Sequence, residues 1–512
     1  MFRSLRNLWR LFGIARTLAR HDALFPLERV PVAPAVLWLA RFARRRNVPG
    51  RPGERLARAL VALGPSFVKL GQTLATRSDL LGDEIAADLS ALQDRLAPFD
   101  AAAAMATIEA ELGEPVARLF ASIEAVPVAA ASIAQVHFAV TAEGEPVAVK
   151  VLRPGIERAF GRDLDFFYWL AEMAELAVPG LRRLKPVAAV ATFADTVAME
   201  MDLRLEASAA AELAANFRAD PEFRVPRVDW RRTARRVLTL ERVQGIRIDR
   251  VDALRAAGHD PDRLLAAAAA AFFRQVFRDG FFHADMHPGN MFIDAAGMLV
   301  PVDFGIMGRL DLKTRHYLAD MLIGFLSGDY RGVAEVHFRA GYVSPHKSVE
   351  LFTQACRSIG EPIMGRPLRE ISIARLLAQL FQVTETFEME AQPQLLLLQK
   401  TMLVAEGVGR ALNPDVNMWE LARPLMEAWV RENRGPEARL AETAGALGRV
   451  IARLPATLDT LELAVDRMAG GQGLHLHPET VRLLADRLAE RRGRLAWLPW
   501  LVVGAIALAA LL

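Results

Sequence analysis

Residues 283–290 read His283-Ala-Asp-Met-His-Pro-Gly-Asn290, and Asp303-Phe-Gly305 follows shortly after. Asp285 and Asn290 stand five apart, His283 precedes the aspartate by two, and Asp303 adds another carboxylate. Two carboxylates and an amide brought together can hold Mg²⁺ and orient phosphate oxygens, which is the chemistry of phosphoryl transfer. The segment between them predicts a hairpin: Met291-Phe-Ile293, a turn at Asp294-Ala-Ala-Gly297, then Met298-Leu-Val-Pro-Val302. Such a hairpin brings the three groups to one edge. Zinc is the competing chemistry, because His283 and His287 are four apart and could share a helix face. A zincin helix needs Glu directly after the first His, however, and here Ala284 follows while Pro288-Gly289 breaks a helix.

The order Asp, Asn, then Asp-Phe-Gly is that of a protein kinase's catalytic loop and metal motif, so upstream residues test the reading. A kinase needs a strand lysine for the nucleotide phosphates. Pro146-Val-Ala-Val-Lys-Val151 provides Lys150, with Val147, Val149 and Val151 alternating against it as in a half-buried strand. The loop before that strand should close over phosphates, and kinases use glycines there. This chain has Ala129, Ala130, Ala131, Ser132, Ile133, Ala134, Gln135 and Val136, which predicts a stiffer nucleotide-binding loop or, alternatively, a helix start. The lysine's partner is expected in Met199-Glu-Met-Asp-Leu-Arg-Leu-Glu-Ala207, within a helical pattern from about Val187 to Phe217. Glu206 is the expected partner, with Glu200 and Asp202 reaching elsewhere. The strand Arg236–Val243 leads to Gln244-Gly245, where a kinase has its hinge, so Glu241 to Val243 would offer backbone groups to adenine. After Asp303-Phe-Gly305 only Ile306-Met-Gly-Arg-Leu310 precedes a helical pattern, and no Ala-Pro-Glu motif appears. The platform on which a kinase lays a peptide is therefore absent, which weakens phosphorylation of a protein in trans.

With these motifs in place, the chain resembles the UbiB family of atypical kinase-like proteins linked to ubiquinone biosynthesis. The resemblance rests on Lys69-Leu-Gly-Gln72 within Gly64–Leu80, on Leu92–Phe99, on the alanine-rich loop, on Glu200-Met-Asp202 and on the 283–290 loop. It spans roughly residues 55 to 415. It implies that the Lys-x-Gly-Gln segment covers the peptide site, with Lys69 and Gln72 forming a gating cluster with Glu200 and Asp202. It also implies ATP and Mg²⁺ as cofactors, with Lys150 on the α/β phosphates, Asn290 and Asp303 on the metal and Asp285 acting on the attacking group. The activity implied is ATP hydrolysis stimulated by membranes and quinone-precursor-like lipids, supporting ubiquinone biosynthesis. A nucleotide-switched lipid chaperone and a protein or small-molecule kinase are the alternatives. An older hydroxylase label for such proteins finds no support, since no Rossmann glycine fingerprint and no iron-ligand cluster occur.

A chain of 512 residues, 52% hydrophobic, can hold more than one core. Its net charge of +3 suggests no nucleic-acid partner. The single cysteine, Cys356, cannot form an internal disulfide and points to a reducing compartment. The first 21 residues hold five arginines and no acid, with Leu5, Leu8, Trp9, Phe12 and Leu18 at helical spacing. This predicts an amphipathic helix on a membrane surface, one packed on the body, or a mitochondrial transit peptide. Leu495 to Leu512 carries no charge and follows Arg487, Arg491, Arg492 and Arg494. It predicts a membrane anchor with the body on the cytoplasmic side of a bacterial inner membrane, a buried helix or re-entrant segment being the alternatives. Inner-membrane lipids, a polyprenyl quinone precursor and other ubiquinone-biosynthesis proteins are the expected partners.

The expected fold is therefore α+β: a two-lobed protein-kinase-like fold with a helical N-terminal extension and a C-terminal transmembrane helix. The expected domains are a basic helix and connector (1–54), a helical extension (55–115), an N-lobe (116–245), a C-lobe (246–430), further helices (431–494) and the anchor (495–512).

Overall fold

The computed structural model describes residues 2–28, 48–75, 82–90, 97–177, 185–363 and 393–434, with isolated positions between them. The chain divides into a unit of Met1–Trp429 and a second of Val430–Leu512. Leu495–Leu512, the expected anchor, lies outside the described residues. Among the described residues no helix is long and apolar enough to cross a membrane.

The chain opens with α1 (Phe2–Arg20), α2 (Pro52–Leu63), α3 (Pro65–Ala75) and α4 (Asp83–Ser90). Leu11, Ile14, Ala15 and Leu18 of α1 are buried at the three-to-four spacing of one helix face. Of the readings open for this helix, packing on the body is the one seen: Arg3 and Arg6 pair with Asp165, and Arg10 pairs with Asp163. Leu5, Leu8 and Trp9 are left exposed.

Next comes α5 (Ala101–Leu112), capped by the Asp100 carboxylate, which accepts from the Ala103 N–H. Beneath it lies an antiparallel sheet of β1 (Phe120–Ile123), β2 (Ala129–Ala130), β3 (Ala134–Thr141), β4 (Pro146–Leu152) and β5 (Val237–Glu241). The order is β1-β3-β4-β5, with β2 beside β3. Val147, Val149 and Val151 are buried in one cluster with Ala104 and Ile108 of α5. Because side chains alternate across a strand, this burial points Lys150 to the opposite face. Each buried valine contributes about 1.5–3 kcal/mol to fixing that orientation.

Between β4 and β5 run α6 (Ile156–Ala177), α7 (Pro186–Glu200) and α8 (Leu203–Asn216). The single helix expected from Val187 to Phe217 is thus two, broken at Met201-Asp202. Asp202 is extended, with φ −116 and ψ 92, and its carboxylate accepts from the Arg204 N–H as the cap of α8. A short acidic side chain competes with helical hydrogen bonding and prefers such a cap. The break separates the surroundings of Glu200 from those of Glu206.

The second lobe begins with β6 (Gly245–Arg247) and α9 (Pro261–Phe273), which runs into a wider π-type turn over Arg274–Asp279. Then come β7 (Phe281–His283), β8 (Met291–Asp294), β9 (Leu299–Pro301) and β10 (Met307–Arg309). The expected hairpin is β8–β9, with Met291 opposite Pro301 and Ile293 opposite Leu299. Helices α10 (Leu312–Ser327), α11 (Tyr330–Ala340), α12 (Val349–Gly360), α13 (Pro393–Leu412) and α14 (Met418–Arg434) complete the described part. Cys356 is buried among Tyr330, Val333 and Phe352, and burial pushes its thiol up to about 12. Native protein at pH 8 should therefore not react with an aromatic disulfide reagent, whereas unfolded protein releases a full equivalent. Stoichiometric reaction of the native protein would show that α11 and α12 open readily.

Candidate active site

Lys150 of β4 and Glu206, in the first turn of α8, meet at the centre of the first lobe. The Lys150 Nζ lies 2.8 and 2.9 Å from the two Glu206 carboxylate oxygens and 3.5 Å from Asp303 Oδ1. One ammonium thus faces two carboxylates. Burial raises Glu206, and Lys150 opposes this while the Asp303 charge adds to it, leaving its pKa at about 7. Burial also works against ionisation of Asp303, but Lys150 and the Gly305 N–H outweigh it and hold that carboxyl at about 2. Burial alone would lower Lys150, yet Asp303 and Glu206 raise it, so it stays charged. A Cβ at Gly305 would lie 3.2 Å from Asp303 Oδ1, so glycine leaves this contact uncrowded.

The 283–290 loop leaves β7 at His283. Its backbone N–H donates to Gln275 Oε1 at 2.9 Å, and its Nδ1 accepts from the Asp285 N–H at 3.1 Å. Gln275 is a positioning residue that no motif signals; only a polar side chain on the buried face of a helix hints at it. Asn290 Nδ2 is 3.4 Å from both the backbone oxygen and Oδ2 of Asp285. The Val302 N–H donates to the Asn290 carbonyl at 3.0 Å, so the hairpin sets Asn290 opposite the residue before Asp303. His283 ends a strand and His287 caps a short 3-10 turn, so they share no helix face. Among the described residues no three His, Cys, Asp or Glu side chains cluster to hold a metal. An aspartate and an asparagine suit Mg²⁺, which binds through one or two protein groups together with phosphates and water.

Beyond Gly305, β10 pairs at once with β7, Met307 opposite His283 and Arg309 opposite Phe281. Gly308 permits this approach, since a Cβ there would meet the Phe282 ring at 2.1 Å. Asp311 then caps α10, its carboxylate accepting from the Thr314 N–H at 2.7 Å. The stretch that a protein kinase uses as an activation loop is taken up by this strand and cap.

The alanine-rich loop is a β-hairpin and not a helix start. Ala129 pairs with Val136 and Ala130 with Gln135, and the Ala131 N–H donates to the Ala134 carbonyl at 2.8 Å. Ala129 is exposed and Ala130, Ala131, Ile133 and Val136 are half-buried, whereas Ser132, Ala134 and Gln135 are buried. Gln135 was expected at the nucleotide, but its amide exchanges hydrogen bonds with the Phe99 backbone N–H and carbonyl at 3.0 and 3.3 Å. A buried amide needs such partners, and it anchors the segment before α5. Arg153 escaped sequence reading. Its guanidinium donates to the Ala131 carbonyl at 3.3 and 3.2 Å and to Ala97 at 2.8 Å, tying the loop down. Its place just past Lys150, at the end of β4, was the available signal.

Two further expectations change. The Glu241 N–H donates to the Arg227 carbonyl at 2.8 Å, and its carboxylate pairs with Arg224 at 2.9 Å. The Arg242 N–H is likewise bound, to the Pro146 carbonyl at 3.1 Å. The Glu241 and Arg242 N–H groups are thus taken up at the sheet, which shifts the hinge donor to Val243. In the gating cluster, Lys69 of α3 meets Glu200 Oε2 at 2.5 Å, while Gln72 donates to the Leu92 carbonyl at 2.9 Å. Asp202 is turned instead to Arg204 at 2.6 Å, because it caps α8.

Similarity to known proteins agrees with this geometry. The ABC1 atypical kinase-like domain matches residues 91–337, and the UbiB helical domain matches residues 356–417. A protein named "probable protein kinase UbiB" from Marinobacter nauticus is 44% identical over 439 residues, covering 84% of this chain and 80% of the relative. Its namesake from Pseudomonas putida strain GB-1 is 42% identical, covering 84% and 81%. Among solved structures, the Rv3197–erythromycin complex from Mycobacterium tuberculosis has the same fold at a TM-score of 0.52 and 24% identity, over 70% of this chain and 90% of that one. A lysine–glutamate pair on a kinase-like sheet, the 283–290 loop joined to Asp303-Phe-Gly305 by a hairpin, and relatives matching along most of the sequence place the chain in the UbiB family of ABC1 atypical kinase-like proteins.

Proposed function

We propose that the protein is a Mg²⁺-dependent ATPase of kinase fold that supports ubiquinone biosynthesis. The observation that carries this reading is Lys150 held 2.8 Å from Glu206 and facing Asp303, the pre-formed arrangement for a nucleotide's phosphates. Lys150 exchanges its Asp303 contact for α/β-phosphate oxygens, and Glu206 keeps it in place. Asp303 and Asn290 hold the metal, and Asp285 orients or deprotonates the attacking water. Bound Mg²⁺ supplies charge neutralisation of the phosphates. Hydrolysis is favoured over peptide phosphorylation because β10 occupies the place of a peptide platform.

The biosynthetic role rests on the relatives' name. Membrane attachment rests on the uncharged run Leu495–Leu512 behind its arginines, with the body in the cytoplasm at a bacterial inner membrane. Lipids of that membrane, a polyprenyl quinone precursor and neighbouring biosynthetic proteins are then the partners. The test is phosphate release from Mg·ATP by the full-length protein, with and without anionic liposomes, beside Asp285→Asn. Liposome-stimulated release that Asp285→Asn abolishes supports the reading. Equal release by wild type and variant refutes it.

Lys69 and Glu200 are both mostly shielded from solvent. We assign their pair a gating role: it holds α3 against α7 and so couples the helical cover to the nucleotide site. Lys69→Ala should raise amide exchange across residues 65–75 several-fold, and Mg·ATP should alter that exchange in the wild type. Exchange that ignores both the substitution and the nucleotide would dismiss the gate.

A further inference from the structure

Where α1 crosses the start of α6, the two helices line a half-open cavity of about 700 Å³ that is rich in cations. Four arginines line it, Arg6 and Arg10 from α1 and Arg158 and Arg162 from α6, against the single carboxylate of Asp165. That carboxylate is already engaged by Arg3 and Arg6 at 2.9 and 2.6 Å. Arg10 pairs with Asp163 and donates to the Arg162 carbonyl at 2.8 Å. Its pKa is lowered, by burial first and then by the guanidiniums of Arg162 and Arg6. Arg158 and Arg162 are exposed and have no carboxylate at ion-pairing distance among the described residues. They stand four apart on one helix face, where like charges repel.

The floor of the cavity is bare. Gly161 lies inside α6, where glycine is disfavoured, and open space lies where its Cβ would be. The adjoining Gly155 leads into a helix of 22 residues, whose dipole favours an anion at this end. Surplus guanidiniums, a vacant floor and a positive helix end converge on one volume.

We propose that this cavity is a binding site for the phosphate group of an anionic ligand, held by Arg158 and Arg162 and closed from α1 by Arg6 and Arg10. Guanidinium forks match phosphate oxygens two at a time. The phosphate could be carried by a lipid headgroup or be free in solution. The exposed Leu5, Leu8 and Trp9, interleaved with Arg6 and Arg10 on α1, favour the headgroup.

The test uses full-length protein with three probes: inorganic phosphate, glycerol 3-phosphate, and vesicles of phosphatidylcholine with or without phosphatidylglycerol. Two variants accompany it. Arg158→Gln/Arg162→Gln removes charge at exposed positions, and Gly161→Leu fills the cavity while keeping every charge. The site predicts at least tenfold weaker binding of a phosphate probe by both variants, with nucleotide affinity unchanged. A loss confined to phosphatidylglycerol vesicles identifies a headgroup site, and a loss with the soluble probes identifies a free-phosphate site. Binding of every probe that survives both variants, or no binding by wild type, overturns the proposal. None of these readouts depends on ATP turnover, so the site stands or falls apart from the proposed ATPase activity.

Discussion

Asp303→Asn should lower Mg·ATP-dependent phosphate release by a hundredfold or more while leaving the protein folded. The substitution keeps size and shape and removes one negative charge. That charge is present at every working pH, because Lys150 and the Gly305 N–H hold the carboxyl at about 2. Losing a pre-organised charged contact to the reacting phosphates typically lowers turnover by about 10²–10³-fold, since phosphoryl transfer depends on positioning and charge stabilisation. Stability should fall only modestly, because the lost attraction between Asp303 and Lys150 is partly offset. Lys150 keeps its 2.8 Å contact with Glu206, and Glu206 is freed from the like charge that helped raise its pKa. A phosphate-release assay across a Mg²⁺ titration checks this, and turnover within threefold of wild type would remove Asp303 from the metal site.

Lys150→Ala should have the largest effect on stability, and that effect should depend on pH. It leaves Glu206 and Asp303 facing each other without their shared cation. Breaking a buried pair on one side costs about 3–5 kcal/mol. Without Lys150 to oppose burial and the Asp303 charge, Glu206 moves above its wild-type value of about 7, so raising the pH towards 8 forces charge onto it at growing cost and the loss should be larger there. Below about pH 6 Glu206 can take up a proton, and the loss should shrink. The wild type carries the same sign more weakly. The Glu206 pKa of about 7 is raised above its ordinary 4.5, so its contribution is complete below 4.5 and is lost as pH rises through about 7. Asp303 runs the other way, contributing above its ordinary 3.8 and losing that only as pH falls through about 2. Urea denaturation of wild type and Lys150→Ala at pH 6 and pH 8 measures both effects. An equal difference at the two pH values would mean that Glu206 is not the group that takes the proton.

The chemistry-bearing residues were legible because their spacing carries a mechanism. Asp285, Asn290 and Asp303 announce themselves by order and separation, and Lys150 by the alternation of Val147, Val149 and Val151. What escaped reading has local physical causes. The break between α7 and α8 carries no proline or glycine, so an alanine-rich pattern read as one helix, and the capping preference of Asp202 was the sole hint. Alanine's helix preference also left the 129–136 loop open between hairpin and helix. Pairing with β3 decides it, as tertiary contacts override weak intrinsic propensity. Glu241, Gln135 and Arg153 depend on partners at Arg224, Phe99 and Ala131, distant or across a turn, which no window along the chain displays.

The break at Asp202 has one more consequence. Glu200 closes α7 and Glu206 opens α8, so the ion pair to Lys69 and the ion pair to Lys150 hang from two ends of one short joint. Affinities linked through such a joint are reciprocal: whatever factor nucleotide imposes on the hold of Lys69, release of Lys69 must impose on nucleotide. A ligand that pries α3 away would therefore be weighed in the same scale as ATP itself, and titrating either one in the presence of the other would return a single number.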